Sequence, residues 1–339
     1  HPWARKLPSF LRSPFLHLTA AARLFGLIIR RGRPALLVAE GLHEQAIAWG
    51  LSRLLRFPYA VHVHEVFDGP ELRGWSKVPF WLEGPALRAA QFTIFPEIER
   101  SEIYRLRYRL AVPIHIAFNC PRKLVPTTAT CWRTRLNLPS DSFLLGYWGG
   151  QGKTNALEQA IRAVARNPKI YFLLWGWSSA EDRRYFEKLA AGVGAGHRIL
   201  FLGELPKAKW AALAGLDLSY CVYEPKELRL AHLATASNKV MESVSVGVPV
   251  LTSPETDFRS LVEQNDIGIC SDSYTVDDIS RAMRQMVESP EVRLRQSGNA
   301  LRLHHNFFHY EYQFKKVLRK LLGEFASAAQ QRIEQSPAA

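Results

Sequence analysis

Short apolar runs of strand-forming residues alternate along this chain with stretches at helical spacing. That alternation confines it to an α/β architecture built on parallel sheets. The first series reads strand Ala35–Ala39, polar turn Glu40–Glu44, helix Gln45–Leu55 and strand Tyr59–His64. It continues with a helix at Pro85–Ala90, a strand at Phe92–Phe95, a charged helix at Glu97–Arg107 and a strand at Ile114–Phe118. Residues 119–140 hold prolines and threonines without a period and read as a linker. The pattern then restarts. Strands are expected at Phe143–Trp148, Ile170–Trp175, Ile199–Leu202, Leu216–Val222 and Pro249–Thr252. Helices are expected at Asn155–Arg166, Glu181–Ala191, Lys207–Ala214, Asn238–Ser245, Val276–Glu288 and Glu291–Leu303. Two such series predict two Rossmann-like lobes with a ligand cleft between them. The expected divisions are a short lobe over 1–120, a linker at 121–140, a second lobe over 141–308, a final helix within 309–325 and a fraying tail at 326–339. That helix, Tyr310–Phe325, would place Phe314, Val317, Leu318, Leu321 and Leu322 on one face.

Composition narrows the class. Hydrophobic residues make up 47 % and charged residues 22 % of the 339, the balance of a soluble globular protein. No apolar run reaches the roughly 20 residues that span a bilayer. The formal net charge of +13 favours anionic partners: nucleic acid, phosphorylated metabolites or an acidic membrane face. A solvated basic surface is the plainer alternative. The basic residues form no single arm, so no nucleic-acid partner is expected. They thicken at Arg5–Arg33, Arg100–Arg109 and Lys315–Lys320. Residues 10–31 interleave Phe15, Leu18, Ala22, Phe25 and Ile29 with Arg12, Arg23, Arg30 and Arg31 at helical spacing. They read as one amphipathic helix or two, either packed on the first lobe or laid on an anionic membrane surface. Cys120, Cys131, Cys221 and Cys270 lie far apart without metal-type spacing, which suits free thiols in a reducing, cytoplasmic compartment. The chain begins with His1 rather than Met, so a leader segment is open at this stage.

Three segments carry candidate chemistry. ASNKVMESVSVGVPVLTS, Ala236–Ser253, opens with the helix-capping residues Ser237 and Asn238 and closes a helix at Gly247. Free backbone N–H groups at such a helix start attract an anion, and Lys239 there opposes its own helix dipole unless an anion is nearby. Glu242, one turn on, suits hydrogen bonds from a ribose or a sugar. YWGGQGKTNALE, Tyr147–Glu158, runs a strand into a glycine-rich loop. Gly149, Gly150 and Gly152 allow close backbone approach, and Lys153 and Asn155 suit phosphate. VHVHEVFDG, residues 61–69, puts His62 and His64 on one side of a strand that Glu65 ends, pointing toward a ligand crevice. Glu224 in CVYEP follows another strand in the same way. A metal held by His62, His64 and Glu65 lacks a further ligand cluster, so no metal is expected. Each segment also has a plain reading as a capped helix, a tight turn or a surface acid. No G-x-S-x-G supports a hydrolase. A nicotinamide oxidoreductase, the nearest alternative, would show a glycine fingerprint with an acid about 20 residues on, and neither lobe shows one cleanly.

On these residues the chain resembles the family 4 glycosyltransferases, retaining enzymes of the two-lobed GT-B fold. SNKVMESVSVGVPVLTS is similar to their donor segment and YWGGQGKTNALEQAI to their glycine loop. ILFLGELP, with Gly203, and LLWGW resemble their nucleotide-side strands. AEGLHEQAIAWGLSRLLRFPYAVHVHEVF resembles part of their first lobe, and FFHYEYQFKKVLRKLL their final helix, which crosses back to that lobe. The resemblance runs from about residue 33 to 325. It implies a nucleotide-sugar donor whose diphosphate lies against Gly149, Gly150, Lys153, Asn155, Gly203 and the Ser237–Asn238–Lys239 helix start, with Glu242 on the ribose. It implies no cofactor, and an acceptor that is a carbohydrate or lipid-linked. Catalysis would be electrostatic, with His64, Glu65 and Glu224 as the groups near the transfer.

The sequence departs from the family in three places. Many members carry two glutamates eight residues apart, and Ala234 stands where the first would be; Glu224 is the substitute the resemblance offers. Asn155 stands near the place of the loop's usual basic residue, with Lys153 to compensate. The opening strands and glycine loop usual before residue 33 are missing, as in a truncated or remodelled lobe. The expectation is a glycosyltransferase of cell-surface polysaccharide or glycolipid synthesis. The alternative is a non-catalytic sugar-nucleotide-binding or partner subunit.

Overall fold

Parallel strands need crossover helices, and a parallel sheet is stable only when both of its faces are covered. The chain meets that requirement twice in the computed structural model, which describes residues 9–320 and 323 apart from 71, 73, 126, 153 and 154. One unit holds the described residues up to Ala117 together with Glu227–Arg229; the other holds Phe118–Lys226 and the residues from Leu230 on.

In the first unit, β1 (Leu37–Glu40), β2 (Tyr59–His62), β3 (Thr93–Phe95) and β4 (Ile114–Ile116) lie side by side in chain order, every pair parallel. The crossovers carry α2 (Leu42–Leu55), α3 (Lys77–Ala89) and α4 (Ile98–Tyr108). All four residues of β2 are buried, as a central parallel strand requires. Val61, Leu87, Phe95 and Tyr104 fill the core around it. The helix expected at Pro85–Ala90 is the last half of α3: Pro85 resembles a helix start but sits inside one. α2 starts three residues earlier than expected, because Gly41, at φ 96°, makes the whole turn after β1.

Ahead of β1, α1 (Ser9–Arg31) is a single helix that contains Pro14. Leu24 and Ile28 pack into the first unit's core, while Leu18, Phe25, Leu27 and Ile29 face outward. Among the described residues no helix is long and apolar enough to cross a membrane.

The second unit contains β5 (Phe143–Trp148), β6 (Ile170–Trp175), β7 (Ile199–Phe201), β8 (Leu218–Cys221), β9 (Val250–Thr252) and β10 (Gly268–Cys270). They lie in the order β10-β9-β8-β5-β6-β7, all parallel. Strands β5 to β7 step outward one way and β8 to β10 the other, so the order reverses between β5 and β8. Alternation along the strands feeds two cores. Leu145 and Phe172 face one side with Ile161, Phe186 and Met283. Leu144 and Leu173 face the other with Trp132, Trp175 and Leu213. Helices α6 (Leu157–Ala165), α7 (Ala180–Gly192), α8 (Lys209–Ala214), α9 (Asn238–Ser245), α10 (Thr256–Val262), α11 (Val276–Glu288) and α12 (Pro290–Asn306) cover the sheet.

Two expectations need correction, and one pair of elements had none. The stretch 119–140, read as a linker, belongs to the second unit and contributes to its core. Trp132, in the short helix α5 (Trp132–Arg135), is buried with its ring 5.3 Å from that of Trp175, and its N–H donates to Ala212 O at 2.8 Å. The α10–β10 pair had no sequence expectation, because seven and three residues are too few to show a period. The chain is helical again over 310–320, but Gln313 and Val317 form its buried face and Leu318 is exposed. Leu321, Leu322 and the tail from Ala326 lie outside the described residues.

Phe172 is fully buried, whereas Leu294 on α12 is 77 % exposed. Phe172→Ala is expected to cost about 3–5 kcal/mol of unfolding free energy. Leu294→Ala should stay within about 0.5 kcal/mol of the parent. Chemical denaturation checks both, and equal effects would contradict this placement of the core.

Candidate functional site

At the reversal between β5 and β8 the crossovers leave in opposite directions, which opens a crevice at the strands' carboxyl ends. A row of glycines lies along that edge. Gly149 follows β5 at φ 121°, Gly176 follows β6 at φ 120°, and Gly203 lies just past β7 at φ 72°. They are tied in series: Gly149 N donates to Trp175 O at 3.0 Å and Gly176 N to Gly203 O at 2.7 Å. A Cβ on Gly176 would stand 2.1 Å from Gly149 O, so no other residue fits there. The carbonyl of Gly150 accepts from the Tyr147 hydroxyl at 2.5 Å and from the Asn155 amide at 3.0 Å. Asn155 therefore braces the loop itself. Lys153 lies outside the described residues.

The start of α9 faces the same edge. Ser237 caps it, accepting from Val240 N at 3.3 Å, and shares a 2.7 Å hydrogen bond with the Tyr223 hydroxyl. Asn238 is exposed. The Lys239 ammonium lies 4.9 Å from the ring centres of both Tyr147 and Tyr223 and donates to the Tyr223 hydroxyl at 3.4 Å. A Cβ on Gly149 would come within 3.3 Å of the Lys239 side chain, so the glycine leaves room for it. Burial holds the Lys239 pKa below the ordinary lysine range, partly offset by Cys221 and Glu242. Among the described residues no carboxylate lies within ion-pair distance of it.

The acids are placed differently. Glu242 accepts from Trp148 Nε1 at 2.7 Å and from Lys209 Nζ at 2.6 Å, one donor on each oxygen. Glu224 has Lys226 Nζ 2.8 Å from Oε2, close enough for an ion pair but out of line for a hydrogen bond. Ala234 is buried, and its N–H donates to the Asp257 carboxylate at 3.3 Å. Tyr147, Trp148, Lys209 and Tyr223 were not among the sequence candidates. The available signal was position alone: Tyr147 and Trp148 end β5, and Tyr223 follows β8.

In the first unit, β2 stops at His62, so His64 and Glu65 lie beyond the strand rather than at its end. Both line a cavity of about 320 Å³ that Gly41, His43, Gln45 and Glu83 also line. Glu83 is buried under hydrogen bonds from Gln45 at 3.1 Å and Tyr108 at 2.6 Å, and burial pushes its pKa up. Arg100 donates to His64 O at 3.3 Å. Burial first, and the neighbouring His64 second, bring the His62 pKa down to about 4, so its ring is neutral at ordinary pH. The sequence set no further metal-type group beside His62 and His64, and the structure does. His62 and His64 have ring centres 4.0 Å apart, and Glu40 sits beside both. Parallel pairing brings in Glu40, not Glu65, because Glu40 stands opposite His62 in the β1–β2 register.

Residues 130–302, more than half of the chain, match the model of the glycosyl transferases group 1. The chain belongs to that family. It is 25 % identical over 163 residues to the lipopolysaccharide core biosynthesis glycosyltransferase LpsE of Rhizobium meliloti, a match that covers 48 % of this chain and 45 % of that protein. The chain thus spans less than half the length of this curated relative. Among solved structures, sucrose-phosphate synthase from Thermosynechococcus elongatus superposes with a TM-score of 0.76 at 17 % identity, covering 95 % of this chain and 81 % of that one. HepE of Anabaena, solved with UDP and glucose, gives 0.74 at 16 %, covering 89 % and 81 %. Two parallel-sheet units of the GT-B type are therefore this chain's fold.

In this member of the group 1 family the half-buried Lys239, with no ion-pair partner among the described residues, is a cost to the ligand-free fold. Lys239→Met is expected to stabilise the ligand-free chain by about 1 kcal/mol. The pH dependence has a definite sign. The folded pKa lies below the unfolded one, so the parent gains stability as pH rises through the folded value, and the Met variant lacks that gain. Denaturant midpoints measured at neutral and alkaline pH check this; a destabilised Met variant would contradict it.

Proposed function

We propose that this glycosyltransferase takes its sugar from a nucleoside diphosphate donor bound by the second unit and transfers it with retention of configuration. Lys239 carries the reading: a cation without a carboxylate in ion-pair reach among the described residues, at a capped helix start, beside Gly149 at the strand-order reversal. Such a group suits a diphosphate. As the bond between sugar and diphosphate breaks, negative charge grows on the leaving group. Lys239, the first amides of α9 and the Gly149–Gly150 loop would stabilise it. Lys153 is assigned to the same diphosphate. Gly203 supports Gly176 under the loop.

Glu242 keeps spare lone pairs after its two hydrogen bonds, and we assign them to the ribose hydroxyls. Glu224 is assigned to the sugar, and His64 with Glu65, sharing one cavity, to the acceptor hydroxyl. UDP is the nucleotide of first choice because HepE was solved with UDP and with UDP-glucose. The Rhizobium relative supports a role in lipopolysaccharide or related cell-surface synthesis. Calorimetric titration with UDP should show binding that Lys239→Ala weakens by about 1–3 kcal/mol. Unchanged affinity would remove the diphosphate from this position. A non-catalytic sugar-nucleotide-binding subunit is the second reading, favoured by the buried Ala234 where many relatives carry an acid. UDP binding without any release of UDP from UDP-sugars in the presence of acceptor extracts would select it.

We also assign α1 to an anionic membrane surface at the cytoplasmic face, where a lipid-linked acceptor would lie. Leu18, Phe25 and Ile29 face outward beside the exposed Arg23, Arg30 and Arg31, while Leu24 and Ile28 already serve the core. Core packing therefore leaves this second apolar face unexplained. Basic residues at an anionic surface contribute about 1 kcal/mol each and are screened by salt. Anionic vesicles should float the protein at low salt and release it as salt rises. Equal recovery with neutral vesicles would leave the charge as a solvated surface.

A further inference from the structure

We propose that Glu40, His62 and His64 form a binding site for one transition-metal dication of the zinc type. The backbone builds the site. Glu40 and His62 are the last residues of adjacent parallel strands and stand opposite each other in register. His64 follows two residues later, the spacing that returns a side chain to the same face of an extended chain. One potential ligand atom from each of the three residues lies within 4.8 Å of the other two.

Two imidazoles and a carboxylate, with room for water, are a donor set that zinc takes in open sites. The separations argue for an ion rather than for direct pairing. Glu40 Oε1 is 3.8 Å from His62 Nδ1, and Oε2 is 3.9 Å from His64 Nε2. Both are too long for hydrogen bonds. The carboxylate straddles two rings and bonds to neither. Zinc bonds of about 2.0–2.2 Å bring tetrahedral ligands to roughly 3.4 Å from one another, so only a small closure is needed. The ligands free to make it are the exposed ones. Glu40 is 65 % and His64 38 % exposed at the side chain, whereas His62 is held by burial. The Arg100 hydrogen bond to His64 O anchors the backbone from behind. The set carries one negative charge against two positive ones.

The proposal goes beyond the transfer reaction as read above: all three ligands belong to the first unit, and a metal on His64 would replace that ring's direct contact with the acceptor hydroxyl. The full-length protein, stripped by a chelator, is titrated with Zn²⁺ by calorimetry and with Co²⁺ by visible absorption. One equivalent of either metal is expected, with cobalt bands of a four- or five-coordinate ion. Glu40→Gln should weaken binding at least tenfold, and His62→Ala should abolish the bands. His62 is buried and its variant risks misfolding; Glu40→Gln changes an exposed side chain and keeps the test decisive. No saturable binding, or binding unaltered by both Glu40→Gln and His64→Ala, would overturn the site. UDP titration reads the second unit and the cobalt spectrum the first, so failure of either reading is distinguishable from failure of the other.

Discussion

Where β5 and β8 lie side by side, the chain has left one strand for one edge of the sheet and returned by the other. Much of the second unit's surface chemistry depends on that reversal. It opens the carboxyl ends of two central strands: β5 ends in Tyr147 and Trp148, and Tyr223 lies just beyond the end of β8. Tyr223 is held by Ser253, which accepts from its N–H at 2.7 Å and donates to its carbonyl at 3.0 Å. The two tyrosine rings then make a seat for the Lys239 ammonium, and Gly149 is small enough to leave it open. Cation–π contact offsets part of the ammonium's desolvation without neutralising its charge.

Burial acts against the charged form in both units. In the second, burial works against the Lys239 ammonium, and Glu242 only partly offsets it. In the first, burial keeps an imidazole neutral and works against a carboxylate: the His62 pKa is held down and that of Glu83 pushed up. Both effects follow from desolvation of the charged form, and the sign differs only because one group is a base and the other an acid.

Legibility in the sequence followed element length and periodicity. β5 and β6 occupy the residues their apolar runs indicated, and α9 starts at the expected cap, because Ser237 and the spacing of Val240 and Val244 say so without help from the rest of the fold. α10 and β10 were silent because each is too short for a pattern to repeat. Trp132 was lost inside a proline-bearing stretch, although its ring is core. The candidate site was half legible. Ser237, Lys239 and the glycines stand in one local motif each, whereas the partners of Lys239 and Glu242 come from other strands and helices. Strand register made Glu40 a neighbour of His62, and no local pattern states a register.

The carbonyl of Gly150 accepts two hydrogen bonds, from a tyrosine on the strand before it and an asparagine after it. Residues 147–150 are thereby held by the fold itself rather than by contact with a ligand. The conformational entropy of ordering them is already lost before any ligand arrives. Variation among ligands at this edge would then register in how well they fit a rigid rim, and dissociation rates rather than association rates would carry most of the discrimination.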